Sequence, residues 1–307
     1  MSQENKFELV GLQANASEHI AAPHYSYWKS VFRKFFSSKV SIAMLIVSAT
    51  ILLLSFIHPM ISKYDPIQVE TALDSSKWFL SPSFEHWFGT THNGMDLFSA
   101  VWFGTRSSLM VAIIATAITT TIGVFVGMLW GYSKRIDAIM IELYNIVANV
   151  PFLLLVMVMV FVLGPGIWQL IFALSCTSWL GTAYFIRVQV MIIRDREYNM
   201  ASRCLGTPML KVLVNNILPY LISVIVTAVA RDVPSFISYE VYLSYQGVGL
   251  SMEHCSLGYL IQTYAPYMNS APYLFWIPVA VSATISVSLY VVGQALADAS
   301  DPRTHMN

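Results

Sequence analysis

The chain has few charged residues and very few cysteines. Lys, Arg, Asp and Glu make up 11% of its 307 residues, whereas a soluble domain carries about 25%. Hydrophobic residues make up 56%. This composition excludes an ordinary soluble domain and indicates an integral membrane protein. The three cysteines, Cys176, Cys204 and Cys255, are predicted to lie in a span and in loops on opposite sides of the membrane, so they indicate no disulfide framework.

Motifs that bind phosphate or metal are also missing. Gly89 and Gly94 have the spacing of a G-x-x-x-x-G-K-[ST] phosphate loop, but Met95 follows in place of lysine. The seven histidines show no metal-ligand spacing, and no H-E-x-x-H sequence occurs. We therefore expect no catalytic residue, bound cofactor or metal in this chain. Its formal charge of +0 gives no sign of a nucleic acid partner, and we expect none.

Six apolar runs are long enough to cross a bilayer, which takes about 20 residues. They predict an all-α polytopic membrane protein with a transmembrane domain over residues 40–297. The approximate spans are 40–61, 109–131, 139–164, 167–187, 218–237 and 273–295. Pro151 predicts a kink in the third span. Gly123, Gly127 and Gly131, spaced by four, predict a face for close helix packing in the second.

The basic residues indicate the orientation. Lys63, Lys77 and Arg106 are the only basic residues in the predicted outer segments, while most of the 17 Lys and Arg residues fall on the other side. Basic residues concentrate in cytoplasmic loops. We therefore expect both termini to be cytoplasmic, with an N-terminal segment over residues 1–39 and a tail over residues 298–307.

A short amphipathic helix is predicted just before the first span. In "YSYWKSVFRKFF", Trp28, Phe32 and Phe35 recur at i, i+4 and i+7, with Lys29 and Arg33 on the neighbouring face. This pattern suits a helix lying in the inner headgroup layer, with its rings toward the acyl chains. A solvated basic linker is the alternative.

Polar residues interrupt the chain between the fourth and fifth spans, in the predicted cytoplasmic segment 188–217. There the stretch "EYNMASRCLGTPMLKVLVNNILP" predicts a helix from about Arg196 that ends at Gly206, because glycine is common at the first non-helical position. The apolar stripe of this helix consists of Met200, Ala201, Cys204 and Leu205.

A second helix should follow at once. Thr207 is a suitable N-cap and Pro208 a suitable first helical residue, and Pro219 then begins or kinks the fifth span. The segment is therefore predicted to form helix, tight turn, helix. It can present Arg203, Gly206 and Thr207 to a soluble partner. A merely well-packed loop between two spans is the alternative.

Four stretches carry a resemblance to a known family. "MASRCLGTPMLKVLVNNILP" resembles the EAA-type loop of bacterial ABC importer permeases, with Ala201, Gly206 and the closing Leu218-Pro219 in register. Three others resemble the C-type permease subunit of the oligopeptide and dipeptide branch. They are "WFGTTHNGMDLFSAVWFGTRSSL" (Trp87 to Leu109), "EVYLSYQGVGL" (Glu240 to Leu250) and "DPR" (Asp301 to Arg303). The likeness covers nearly the whole chain from Tyr64 onward.

The resemblance implies a type I ABC importer permease fold in the bacterial plasma (inner) membrane. It also implies a second homologous permease subunit, two cytoplasmic ABC ATPase subunits and an extracytoplasmic binding protein that delivers peptide. ATP and Mg would be bound by the ATPases, so this subunit would contact lipid and peptide substrate without being an enzyme. An importer of nickel or another small solute is the main alternative. A secondary transporter is less favoured, because the two halves show no internal repeat.

The chain departs from the family motif at two positions. The family's acidic residue is replaced by Met200, and its second alanine by Ser202. Glu197, about one helical turn earlier, places a charge on nearly the same side of the helix. The residues expected to couple to the ATPases are Glu197, Met200, Ala201, Ser202, Arg203, Gly206, Thr207 and Pro208.

Two charged residues fall inside the fifth span. Arg231 and Asp232 lie among apolar residues in "TAVARDVPSF". An unpaired charge at that depth costs from roughly 2.5 to over 10 kcal/mol, so both must face protein or water. Because successive helical residues diverge by about 100°, we expect the two not to neutralise each other.

Two roles are open for this pair. On a translocation path, Arg231 meets a peptide carboxylate or carbonyl, and Asp232 meets an amino group or a cation of the partner permease. In a structural role, the charges join two helices, or the arginine extends toward the outer headgroups.

Overall fold

A computed structural model describes residues 27–62, 64–66 and 74–300. Within these ranges the regular structure is helical, apart from one antiparallel bridge between Thr90 and Asp96. Residues 1–26 of the predicted N-terminal segment and the motif Asp301 to Arg303 lie outside the described residues.

Most of the described α-helices follow one another with short connections, and the longest connection lies between α2 and α3. They are α1 (Tyr27–Phe35), α2 (Lys39–Ile61), α3 (Leu97–Tyr132), α4 (Lys134–Ala148), α5 (Phe152–Leu163), α6 (Ile167–Arg194), α7 (Glu197–Cys204), α8 (Met209–Val212), α9 (Leu218–Tyr245), α10 (Leu257–Tyr264) and α11 (Pro272–Ser300). Five helices among the described residues are long and apolar enough to cross a membrane, and α4 with α5 can form a sixth, broken span.

The third predicted span differs from the expected kinked helix. It consists of α4 and α5, which meet at 82° across a short break. Pro151 causes the break, since a residue before proline is disfavoured in the helical region, and Pro151 itself is extended, with ψ 118°. Because irregular backbone at membrane depth must face protein or water, we expect this break to face away from the lipid.

The second span was predicted to begin at residue 109, but α3 begins twelve residues earlier, at Leu97. Asp96 caps it by accepting a hydrogen bond from the Ser99 N–H at 2.9 Å. The first turns contain polar residues that lower their hydropathy. The Thr105 hydroxyl nevertheless donates to the carbonyl of Val101 at 2.8 Å, so the side chain is satisfied within the helix.

Helix α1 partly contradicts the expected lipid-facing aromatic stripe. Trp28 and Phe32 are exposed, and their ring centroids lie 6.5 Å apart. Phe35, however, is buried together with Val31 against α11. The helix therefore has a protein-facing edge beside its exposed aromatic edge, because one turn separates Val31 from Phe35.

The glycine spacing in α3 predicted close helix packing, and the structure shows that the partner is α6. A Cβ atom at Gly127 would lie 2.5 Å from the Ala183 carbonyl oxygen, and one at Gly131 would lie 2.7 Å from the Arg187 carbonyl oxygen. Real Cβ atoms do not approach a backbone oxygen so closely, so these glycines allow α3 and α6 to meet backbone to backbone.

Gly127→Ala should therefore destabilise the protein. The added methyl group forces α3 and α6 apart, and overpacking of this kind costs about 1–3 kcal/mol. Thermal unfolding of the purified protein measures the loss. The matched control is Gly181→Ala in α6, where nothing lies within 4 Å of the new Cβ. Equal melting temperatures for the two variants would contradict the assigned contact.

Candidate functional site: the elbow and the mid-bundle cavity

The elbow, defined here as residues 197–217, connects α6 to α9. Its first helix, α7, ends as the sequence predicted. Gly206 has φ 76°, a conformation that favours glycine. The Gly206 N–H donates to the Arg203 carbonyl at 2.9 Å, and the Thr207 N–H donates to the Ser202 carbonyl at 3.1 Å. This pair of hydrogen bonds is a Schellman motif, so the turn is fixed by backbone geometry.

The second helix of the elbow begins one residue later than predicted. Pro208 is extended, with ψ 147°, and makes α8 begin at Met209. The Pro208 carbonyl accepts hydrogen bonds from the N–H groups of Lys211 and Val212, at 3.0 and 3.2 Å. The prediction that Thr207 caps α8 is wrong. Thr207 belongs to the turn that ends α7, and Pro208 is the residue that precedes α8.

A short π-helical turn joins α8 to α9. It covers Leu213–Ile217, and the Leu218 N–H donates to the Leu213 carbonyl. Pro219 follows in the first turn of α9, where a missing N–H is tolerated. The buried residues Val212, Leu213 and Ile217 pack in one cluster with residues of α3 and α6. The second half of the elbow is thus part of the packed bundle.

The apolar stripe of α7 faces outward. Met200 is 47% exposed and Leu205 85% exposed, and Ala201 and Cys204 are exposed as well. Glu197 in the first turn is also exposed. This surface combines apolar and charged groups on a short, fixed helix, an arrangement typical of contact with another protein.

Two asparagines fix α7 to the bundle, a role that sequence reasoning missed. Asn199 is fully buried, and its Nδ2 donates to the Ile193 carbonyl at 3.0 Å. The Nδ2 of Asn216 donates to Asn199 Oδ1 and to Ser202 Oγ, both at 3.1 Å. We call this set of hydrogen bonds the amide lock. It ties the outward-facing helix to the turn that leads into α9.

Arg203 is less available to a partner than the sequence suggested. Its guanidinium donates to the Arg194 carbonyl, contacts Asp195 at 3.4 Å, and lies 5.3 Å from the centroid of the Tyr132 ring. A hydrogen bond from Arg194, with the positive charge of Arg203, lowers the pKa of the Asp195 carboxyl. Arg203 therefore connects α7 to the ends of α3 and α6.

The two charged residues of α9 form an ion pair, contrary to expectation. Arg231 Nε donates to Asp232 Oδ1 at 3.0 Å. The long arginine side chain spans the angle between successive helical residues. Its guanidinium also lies 5.6 Å from the centroid of the Phe185 ring, and Asp232 Oδ2 accepts a hydrogen bond from Thr182 at 3.5 Å.

This pair lines a cavity of about 620 Å³, the mid-bundle cavity. The break between α4 and α5 forms one wall, and the middles of α6 and α9 form the others. Arg231 and Asp232 are the charged residues among its lining residues. Other polar side chains that line it are Tyr144, Asn149, Thr177, Ser178, Thr182, Ser235 and Tyr239.

Sequence reasoning also assigned no role to Glu240. It is fully buried in α9, where its carboxyl group accepts hydrogen bonds from Ser108 at 2.5 Å and Ser244 at 2.8 Å. The two hydroxyl oxygens in turn accept the N–H groups of Leu257, at 3.3 Å, and Leu250, at 3.1 Å. The stretch from Glu240 to Leu250 therefore joins α3, α9 and α10 at the end opposite the elbow.

Glu240→Ala should lower the stability of that end. Each buried hydroxyl that loses its acceptor costs about 1–3 kcal/mol. Thermal unfolding measures the loss, and Glu142→Ala at an exposed position of α4 is the control. A melting temperature as high as that of the control would show that the carboxyl group does not join these helices.

Multiple apolar helices, a buried small-residue seam and a broken span at mid-depth define a multi-pass membrane protein with an internal cavity. The model of the family "Binding-protein-dependent transport system inner membrane component" matches residues 120–306. That of the "N-terminal TM domain of oligopeptide transport permease C" matches residues 26–82. The chain belongs to the binding-protein-dependent permease family, and its fold is that of a type I ABC importer permease, which confirms the resemblance.

Several similar proteins are named as permeases of peptide transport systems. The oligopeptide transport system permease protein AmiD of Streptococcus pneumoniae is 52% identical over 302 residues, covering 98% of each chain. OppC, an oligopeptide transport system permease protein of Bacillus subtilis, is 32% identical over 98% of this chain and 97% of its own. The dipeptide transport system permease protein DppC of the same organism is 31% identical over 94% of this chain and 89% of its own.

Proposed function

We propose that this chain is a transmembrane subunit of an ATP-driven importer of oligopeptides in a bacterial plasma membrane. The names of its relatives support peptide over nickel as the substrate. The complex contains a second homologous permease, two cytoplasmic ABC ATPases that bind ATP and Mg, and an extracytoplasmic binding protein that delivers the peptide. Both termini and the elbow face the cytoplasm, in line with the distribution of basic residues.

The outward-facing stripe of α7 is the observation that carries this proposal. An ATPase that docks on Met200 and Leu205 moves α7, and the amide lock passes that movement to Asn216 and α9. Because α9 lines the mid-bundle cavity, closure of the ATPases changes the access of the cavity to either side of the membrane. Glu197 supplies the charge that Met200 does not.

The natural cysteines allow a direct test. Cys204 is exposed on α7, whereas Cys255 is buried, and burial together with the nearby Glu240 carboxyl raises the pKa of the Cys255 thiol to about 12. In a Cys176→Ser background, Cys204 is therefore the reactive thiol of the described residues. A photoactivatable maleimide attached to Cys204 of the purified permease before the ATPases are added should capture an ATPase subunit upon illumination, and Cys204→Ser should abolish the product.

The same thiol tests on which side of the membrane the elbow lies. A membrane-impermeant maleimide should label Cys204 in inside-out vesicles and leave it unlabelled in right-side-out vesicles. Labelling from the outer side, or crosslinks that never contain an ATPase, would refute the docking role of the elbow.

A further inference from the structure

Arg231 brings the positively charged hydrogen-bond donors of the mid-bundle cavity. The side chain of Arg231 is 54% exposed, whereas that of Asp232 is 12% exposed. Nε of Arg231 is engaged by Asp232. The terminal N–H groups of the guanidinium have no hydrogen-bond partner within the described part of the chain. Asp232 and the Phe185 ring therefore hold the Arg231 guanidinium in place. Its free N–H donors are available to a ligand in the cavity.

Apart from Asp232, the other polar side chains of the cavity are uncharged, and several of them offer acceptors. The hydroxyl groups of Thr177, Ser178 and Ser235 donate to carbonyls of their own helices, at 3.0, 2.7 and 2.8 Å. Each hydroxyl oxygen can then only accept a hydrogen bond from a ligand. Both carboxylate oxygens of Asp232 already accept hydrogen bonds. Arg231 is therefore the group that selects the charge of a ligand in this cavity.

A planar guanidinium with free terminal N–H groups best fits a carboxylate, which accepts two parallel hydrogen bonds. The remaining hydroxyl oxygens suit the N–H groups of a peptide backbone. The cavity volume of about 620 Å³ lies within the ~300–1,000 Å³ range of small-molecule pockets. It therefore accommodates one end of a peptide rather than a long extended chain.

We propose that Arg231 binds the C-terminal carboxylate of the peptide during translocation, while Asp232 and Phe185 position the guanidinium. This inference rests on the proposed function. Every linear peptide with a free C-terminus carries this carboxylate whatever its sequence, so such a site takes peptides of many sequences. It assigns to the permease a recognition step that follows delivery of the peptide.

The test compares a labelled tripeptide with its C-terminal amide. The complete complex, with its binding protein and ATPases, is reconstituted in proteoliposomes, and ATP-dependent uptake is measured with the binding protein saturated by either peptide. We expect Arg231→Gln to lower uptake of the free acid about tenfold, as loss of a charge-assisted hydrogen bond predicts. Uptake of the amide should stay as it is in the unmodified complex.

An equal fall for both peptides in an assembled Arg231→Gln complex would overturn the proposal and make Arg231 structural. Unchanged uptake of both peptides would overturn it too. If this variant does not assemble, Arg231→Lys keeps a charge beside Asp232 but loses the planar pair of donors. A lower ratio of acid to amide uptake then supports the proposal, and an unchanged ratio refutes it. Failure of the unmodified complex to import either peptide would instead refute the proposed function.

Discussion

Gly206→Val should abolish peptide uptake while the subunit stays in the membrane. At φ 76°, a residue with a Cβ costs about 1–2 kcal/mol, and a β-branched side chain is a pronounced outlier there. The Schellman motif that fixes α7 is then lost. Because nothing lies within 4 Å of a Cβ at this position, the bundle itself has no reason to unfold. ATP hydrolysis should persist without import, and both rates are measured in proteoliposomes.

Gly206→Asn is the matched control for this prediction. Asparagine adopts the left-handed conformation more readily than other residues with a Cβ, so this variant should keep most of the uptake. Wild-type uptake in the valine variant would contradict the role of the turn. Equal inactivity of the two variants would show that the space around residue 206 matters rather than its backbone conformation.

Asn216→Leu should uncouple ATP hydrolysis from import. Leucine has a similar size but cannot donate to Asn199 and Ser202, so the amide lock is lost. A buried amide left without its partner costs about 1–3 kcal/mol, enough to release α7 from the turn that leads into α9. We expect the number of peptides imported per ATP hydrolysed to fall about tenfold or more, as measured by parallel uptake and phosphate-release assays.

The neighbouring residue offers a matched control. Asn215 is exposed, and its side chain makes no hydrogen bond to the described residues, so Asn215→Leu adds the same side chain one position away without breaking the lock. It should keep the wild-type ratio of peptide to ATP. If both variants couple normally, the amide lock does not transmit movement.

Local signals in the sequence were sufficient for much of the fold. Apolar runs revealed the membrane-crossing helices, glycine spacing revealed a close-packing face on α3 without its partner, and Gly206 revealed the end of α7. Each of these depends on the chemistry of one segment. The start of α3 was missed because hydropathy registers hydroxyl groups as polar, although Thr105 satisfies its hydroxyl within its own helix.

Long-range contacts were beyond the reach of the sequence. Asn199 and Asn216 are 17 residues apart, and no periodic pattern links them. Glu240 contacts Ser108 across the bundle, so its burial depends on the packing of two helices. The pairing of Arg231 with Asp232 was missed for another reason. Backbone directions alone place neighbours far apart, whereas a long side chain can fold back.

The helix that begins in the elbow runs from Met209 to Tyr245 over 37 residues, through the π-helical turn at Leu213–Ile217 and past Pro234. At 1.5 Å per residue, Arg231 lies ~30 Å along this helix from its elbow end. A pivot near that end would turn a tilt of about 5° into a sideways shift of ~3 Å at the guanidinium, by the same dimensions. A hydrogen bond does not survive such a shift. A continuous helix of this length would thus let a small rotation at the elbow release a peptide bound to Arg231.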